Sequence, residues 1–148
     1  MTVLIRAAAA GDASEWRRLW DGYCRFYEAE VSAETTDETW RRLLDPASPI
    51  LGRIAEIDGA VVGFANAVIH LGTWNPAPVC YLEDLFVDGS VRGKGIGRAL
   101  IDDLLAMARR EGWSDLYWQT RADNAVARRL YDTYAPADGF VRYRLEIA

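Results

Sequence analysis

Between Gly95 and Gly112 the chain writes an amphipathic helix: Ile96, Leu100, Ile101, Leu104, Leu105 and Ala108 share one face, with Asp102, Asp103, Arg109 and Arg110 largely opposite. Gly112 supplies the stop. A strand signal precedes this helix at residues 80–87, and another follows at 114–121. Strand, helix and strand in that order make a crossover joining parallel neighbours of one sheet. This confines the chain to a mixed α/β architecture.

The remaining elements fit around that crossover. Residues 2–6 read as a first strand, and Gly11-Asp12 offers a cap. Trp16, Leu19, Trp20, Tyr23, Phe26 and Tyr27 then recur at helical spacing. Thr36 or Asp37 is expected to cap a second helix reaching Leu44, where Pro46 and Pro49 stop it. Asp58-Gly59 between residues 52–57 and 61–69 is a two-residue hairpin signal. Pro76 and Pro78 mark a loop before the strand at 80–87. Asn124 opens a short helix through about Tyr134, broken by Pro136, and residues 140–147 alternate like a last strand. The expected order is β-α-α-β-β-β-α-β-α-β, an α/β (α+β mixed sheet) fold in a single domain, 1–148.

Two features of the crossover carry chemistry. Tyr81-Leu82-Glu83-Asp84-Leu85-Phe86-Val87 sets two carboxylates in an otherwise apolar strand, a costly arrangement unless they have work to do. Arg92-Gly93-Lys94-Gly95-Ile96-Gly97-Arg98 follows, opening the helix. Its glycines remove side chains where backbone amides approach an anion, and the positive helix end points to the same spot. Arg92, Lys94 and Arg98 add charge, and Lys94 is the only lysine in the chain. The pair suggests an enzyme holding a phosphorylated cofactor beside an acid–base site. A dinucleotide fingerprint fits poorly, because Arg98 stands where glycine is required; a Walker loop fails because glycine follows Lys94.

The net charge of -5 argues against a protein that coats nucleic acid, while a local basic cluster can still oppose the sign of the whole. No apolar stretch approaches the ~20 residues needed to cross a bilayer, so no membrane role is expected. Residues 1–10 make a poor secretory signal, with Arg6 inside the apolar run. Cys24 and Cys80 are too few for a disulfide framework or a metal site, and free thiols suit a cytoplasmic protein.

Arg92-x-x-Gly95-x-Gly97 at a helix start resembles the acetyl-CoA motif of the GNAT family of N-acetyltransferases. Asn124-x-x-Ala127-x-x-Leu130-Tyr131 with Gly139-Phe140 resembles the family's second motif, and the element order matches its fold across essentially the whole chain. The segment 81–87 is particularly similar to the spermidine/spermine and histone/polyamine acetyltransferase branch. The chain departs from the family pattern after Tyr131, where residues 132–138 lengthen the connection to Gly139 and only one strand follows.

The resemblance implies acetyl-CoA as the co-substrate. Backbone groups of Leu85, Phe86 and Val87 would pair with its pantetheine arm, and amides of Gly93, Lys94, Gly95, Ile96, Gly97 and Arg98 would hold the pyrophosphate. Asn124 and Tyr131 would flank the thioester end, and Tyr131 would protonate the departing thiolate; otherwise Tyr131 is a core-facing tyrosine.

An alkylammonium with a pKa near ~10 is only about one-thousandth nucleophilic at neutral pH, a handicap of roughly 4 kcal/mol, so a base is needed. Glu83 is the first candidate and Asp84 the second. Adjacent strand residues point to opposite faces, so both enter one cleft only if a bulge intervenes. A structural ion pair with an arginine is the alternative role for either. Direct transfer in a ternary complex is expected, since neither cysteine has a motif-placed histidine. His70 is a strand-end residue or minor site contact.

Tyr23, Tyr27, Glu28 and the acidic residues after them fall where this family covers its acceptor, so Tyr27, Glu28, Glu83, Asp84 and Trp74 are candidate substrate contacts; a solvated acidic loop is the other reading. The expected reaction acetylates a primary amine of a small molecule, a polyamine or an amino-acid-like compound. A protein lysine or N-terminal acetyltransferase and a non-catalytic acyl-CoA-binding module are the alternatives. A homodimer is expected, because the last strand has no obvious partner on one side.

Overall fold

Asp58 and Gly59 both take left-handed backbone, with φ of 51° and 82°. That pair of positive angles is what a tight two-residue hairpin demands. It folds β2 (Ile50–Ile57) back onto β3 (Ala60–His70). β1 (Val3–Ala7) pairs antiparallel with the outer edge of β2, and β4 (Val79–Val87) pairs antiparallel with β3. The crossover helix α3 (Ile96–Glu111) then returns the chain so that β5 (Asp115–Tyr117) runs parallel to β4. The sheet order is β1-β2-β3-β4-β5. This computed structural model describes residues 2–148, in two compact units divided after Trp118.

In the first unit the sheet is packed on both faces. α1 (Ala13–Phe26) and α2 (Ala33–Leu44) bring Trp16, Leu19, Trp20 and Leu43 against Ile54 and Phe64. Trp16 and Trp20 stack with centroids 5.4 Å apart. Successive strand residues face opposite sides, so Gly63, next to Phe64, looks toward α3. A Cβ there would lie 3.0 Å from the Phe86 carbonyl oxygen and 3.5 Å from Ile96, so glycine is what lets α3 come down on the sheet. Ile96, Leu100, Ile101 and Leu104 are buried on that side. Arg53 of β2 and Asp103 of α3 close an ion pair at 2.7 Å.

Several local expectations need correction. α2 is capped by Ser32, whose Oγ accepts from the Thr35 amide at 3.1 Å. Thr36 is buried one turn inside, where its hydroxyl accepts from Trp20 Nε1 at 3.1 Å, and Asp37 pairs with Arg17. Asp12 does not cap α1; its carboxylate is taken by the Arg6 guanidinium at 2.7 and 2.8 Å and by the Ala9 amide. β5 has three residues in place of the eight expected over 114–121, because its ladder with β4 ends at Tyr117.

In the second unit α4 (Ala125–Tyr131) is capped by Asn124, whose Oδ1 accepts from the Ala127 amide at 3.3 Å. The helix stops at Tyr131, short of Tyr134. Residues 140–147 form no strand: the apolar side chains Val141, Tyr143, Leu145 and Ile147 are each at least 76% exposed. Alternation states which side chains share a face, whereas a strand also needs a backbone partner to close its ladder.

Candidate active site

The register of β3 and β4 slips at Glu83. Asn66 pairs with Asp84 and its neighbour Ala67 pairs with Leu82, leaving Glu83 as the extra residue of a β-bulge. The bulge breaks the strict alternation of the two carboxylates. Asp84 hydrogen-bonds the Tyr23 hydroxyl on α1, and the charges of both Asp84 and Glu83 act on that same phenol. Asp84 is half-buried and Glu83 is exposed.

Asp84 also accepts from Asn66 Nδ2 at 3.1 Å. Burial raises its pKa above the ordinary carboxylate range, against the opposing effect of the bonds from Tyr23 and Asn66. Burial, and then the Asp84 charge, push the Tyr23 phenol well above its ordinary value. Asn66 is itself buried, and its Oδ1 has no hydrogen-bond partner. Aromatic rings surround this polar group. Tyr23 lies 4.9 Å from Tyr27 and meets Phe86 edge-on at 6.3 Å, while Gly22 lets the Phe86 ring pass within 3.0 Å of where a Cβ would be.

β4 meets β5 only over Val79–Asp115, Cys80–Leu116 and Tyr81–Tyr117. From Leu82 onward, the β4 edge on that side has no strand partner among the described residues. Backbone groups along that edge, apart from the Val87 carbonyl that Arg92 takes at 3.1 Å, can pair with an extended ligand as an added strand does.

Beyond β4 the chain turns at Asp88, which caps a short helical turn and binds Arg18 at 2.8 Å. Gly93 and Gly95 follow with φ of 81° and 79°, and nothing lies within 4 Å of a Cβ built on either. Gly95 is the N-cap of α3, and no side chain caps it. The first amides of α3 thus lie next to a glycine loop bearing Arg92 and Lys94, with Arg98 in the first turn of the helix. Arg92 bonds the Val87 carbonyl at 3.1 Å and lies over the Phe86 ring at 5.2 Å. A cavity of about 690 Å³ reaches Lys94 from the Arg6, Asp12 and Arg18 side, where those groups are already ion-paired.

Of the expected acceptor contacts, Tyr27 joins Tyr23 beside the carboxylates. Glu28 is exposed, with a left-handed φ of 53°, just past α1. Trp74 is 93% exposed. Asn124 and Tyr131 belong to the second unit, as the cap and the last residue of α4. Burial pushes the Cys80 thiol up to about 11, and burial also raises that of Cys24, so both stay protonated at neutral pH and neither is a ready nucleophile. Sequence reasoning missed Asn66, Tyr81 and Tyr117. The one signal for Asn66 was an amide within an apolar strand, the same signal that singled out Glu83 and Asp84.

The acetyltransferase (GNAT) family model matches residues 16–134. D-amino-acid N-acetyltransferase HPA3 of Saccharomyces cerevisiae is 31% identical over 144 residues, covering 96% of this chain and 89% of its own length. The uncharacterized N-acetyltransferase YhfO of Bacillus subtilis is 32% identical over 146 residues, covering 97% of each chain. Ribosomal-protein-alanine N-acetyltransferase from Brucella melitensis biovar Abortus 2308 has a similar solved structure, with TM-score 0.79, 25% identity, and coverage of 99% of this chain and 100% of that one.

Proposed function

This chain belongs to the acetyltransferase (GNAT) family and is an acetyltransferase, and we propose that it moves the acetyl group of acetyl-CoA onto a primary amine of a small molecule. The observation that carries this reading is the end of the β4–β5 ladder at Tyr81. The open backbone edge of Leu85, Phe86 and Val87 begins there, on the same stretch as the bulged Glu83 and the held Asp84.

The residues suit acetyl-CoA. Open glycines at 93 and 95, an uncapped helix start and the basic side chains make a fitting seat for a diphosphate. Bound there, the co-substrate supplies an activated acyl carbon and a thiolate leaving group. Glu83 takes a proton from the acceptor's ammonium, directly or through water, and the neutral amine so formed attacks the acyl carbon. A backbone amide at Leu85 or Phe86 donates to the oxygen that gains charge. Tyr131 gives its phenolic proton to the departing sulfur, and Asn124 orders the same end. These last two roles rest on their match to the family's second motif.

Two acceptor classes have support. HPA3 is named a D-amino-acid N-acetyltransferase, which favours an amino-acid-like amine. The paired carboxylates beside Tyr23 and Tyr27 favour a cationic amine such as a polyamine. The proposal includes one N-acetyltransferase domain over 1–148, action in the cytoplasm, where its free thiols would be stable, and a homodimer covering the exposed apolar face of 140–147. Thiol release on mixing protein, acetyl-CoA and a panel of amino acids, diamines and lysine peptides tests it. Turnover of small amines is expected; turnover of peptides alone, or CoA binding without turnover, overturns it. A monomeric mass at micromolar concentration would refute the dimer.

A further inference from the structure

The imidazole of His70, at the end of β3, is engaged at both nitrogens. Nδ1 lies 2.9 Å from the Leu71 carbonyl oxygen, and Nε2 lies 3.0 Å from the Tyr117 hydroxyl. A carbonyl only accepts, so in the neutral ring the proton sits on Nδ1 and Nε2 is left as an acceptor. Tyr117 must then donate its single proton to His70.

Tyr117 is the last residue of β5 and pairs with Tyr81, the last β4 residue in the ladder. The two rings stack at 4.9 Å with planes 17° apart, and His70 meets Tyr117 edge-on at 5.9 Å. Two neighbours thus hold the phenol in place at the fork where β4 and β5 part. Tyr117 is 43% exposed as a residue, while its proton is committed to His70. Burial, then Cys80 and lastly the Glu83 charge raise the Tyr117 phenol above its ordinary value, and Glu83 is also the least of the influences on Tyr23. The phenol therefore stands in the same electrostatic neighbourhood as the bulged carboxylate.

We propose that Tyr117, oriented by His70, is a specificity-determining residue that meets the acceptor substrate with lone pairs only. It takes a hydrogen bond from an ammonium or another N–H group and offers none to a carboxylate. An incoming anion would meet phenol lone pairs and the Glu83 charge, whereas a cation gains from both. This inference rests on the acetyltransferase reading of the same site, and it adds a residue and a selection rule to that reading.

The test compares 1,4-diaminobutane with 4-aminobutyrate, which share a reacting amine and differ in the charge of the far end. In the parent protein the diamine should have the higher kcat/KM. Tyr117→Phe keeps the ring stack and removes the oxygen, and should cut that preference roughly tenfold through acceptor KM. Its kcat and its KM for acetyl-CoA should stay within about twofold. His70→Phe frees the hydroxyl to turn and should cut the preference less. An unchanged preference in Tyr117→Phe, or an equal rise in KM for both co-substrates, overturns the proposal.

If the parent turns over neither amine, the acetyltransferase reading fails for this acceptor class. The inference is then judged by nitrogen NMR of the His70 imidazole during diamine addition. Movement of Nε2 that disappears in Tyr117→Phe upholds it, and no movement in the parent refutes it.

Discussion

Asn66 and Asp84 face each other across the β3–β4 ladder, and the Asn66 amide donates from Nδ2 to Oδ2 of Asp84 at 3.1 Å. The pairing sits beside the bulge at Glu83. It ties the carboxylate strand to a strand buried on both faces, and it leaves Asn66 Oδ1 as a buried acceptor with no partner. The most consequential polar contact of the site is thus also the least completely satisfied.

Asn66→Leu, close in volume, removes one of the two side-chain donors to Asp84 and should destabilise the protein by about 1–3 kcal/mol. Urea unfolding at neutral pH measures this. A midpoint equal to the parent's would show that the bond contributes nothing to stability.

Asp84 should also mark the pH dependence of stability. Burial raises its folded pKa, so the native state holds this proton more tightly than the unfolded chain. Its contribution is fully present below the ordinary value of about 3.9 and is lost as pH rises through the folded pKa. Asp12 and Asp88 are shifted down by their arginine and backbone partners and act in the opposite sense, losing stability as pH falls. Subtracting the Asp84→Asn unfolding profile from the parent's cancels them. The difference should move in favour of the variant from about pH 4 to pH 7, and a flat difference would contradict the shift.

Glu83→Gln should lower kcat by roughly 100- to 10,000-fold, the range for loss of a positioned base. The KM for acetyl-CoA should be unchanged, because the loop proposed to seat its diphosphate is separate from the Glu83 side chain. Steady-state kinetics with a diamine reports both values. Parent-like kcat would remove Glu83 from the chemistry and pass the role to Asp84.

Gly95→Ala puts a side chain on a residue with φ of 79° at the start of α3. The strain should cost about 1–2 kcal/mol, and the new methyl group would stand beside the amides offered to the diphosphate. Calorimetric titration should show weaker CoA binding, while circular dichroism shows α3 still formed. Affinity equal to the parent's would mean that the loop does not seat the diphosphate.

Local signals were the legible part. The bounds of α3, the Asp58-Gly59 turn and the Asn124 cap follow from apolar spacing, positive backbone angles and side-chain capping, all confined to a few neighbouring residues. Neither Thr36 nor Asp37 caps α2, because Trp20, sixteen residues before Thr36, draws that hydroxyl into the core and Arg17 takes the Asp37 carboxylate. The alternation of 140–147 was read as a strand because side-chain periodicity carries no information about a pairing partner.

By itself, then, the amino-acid order determined the element types up to α4, the glycine loop and the presence of two carboxylates on one strand. Tertiary structure alone decided how those carboxylates are used. The bulge at Glu83, the Asn66–Asp84 bond and the His70–Tyr117 bond depend on how distant strands fall into register. Register is a property of the whole sheet: packing on both of its faces selects it, and no short stretch of chain encodes that choice.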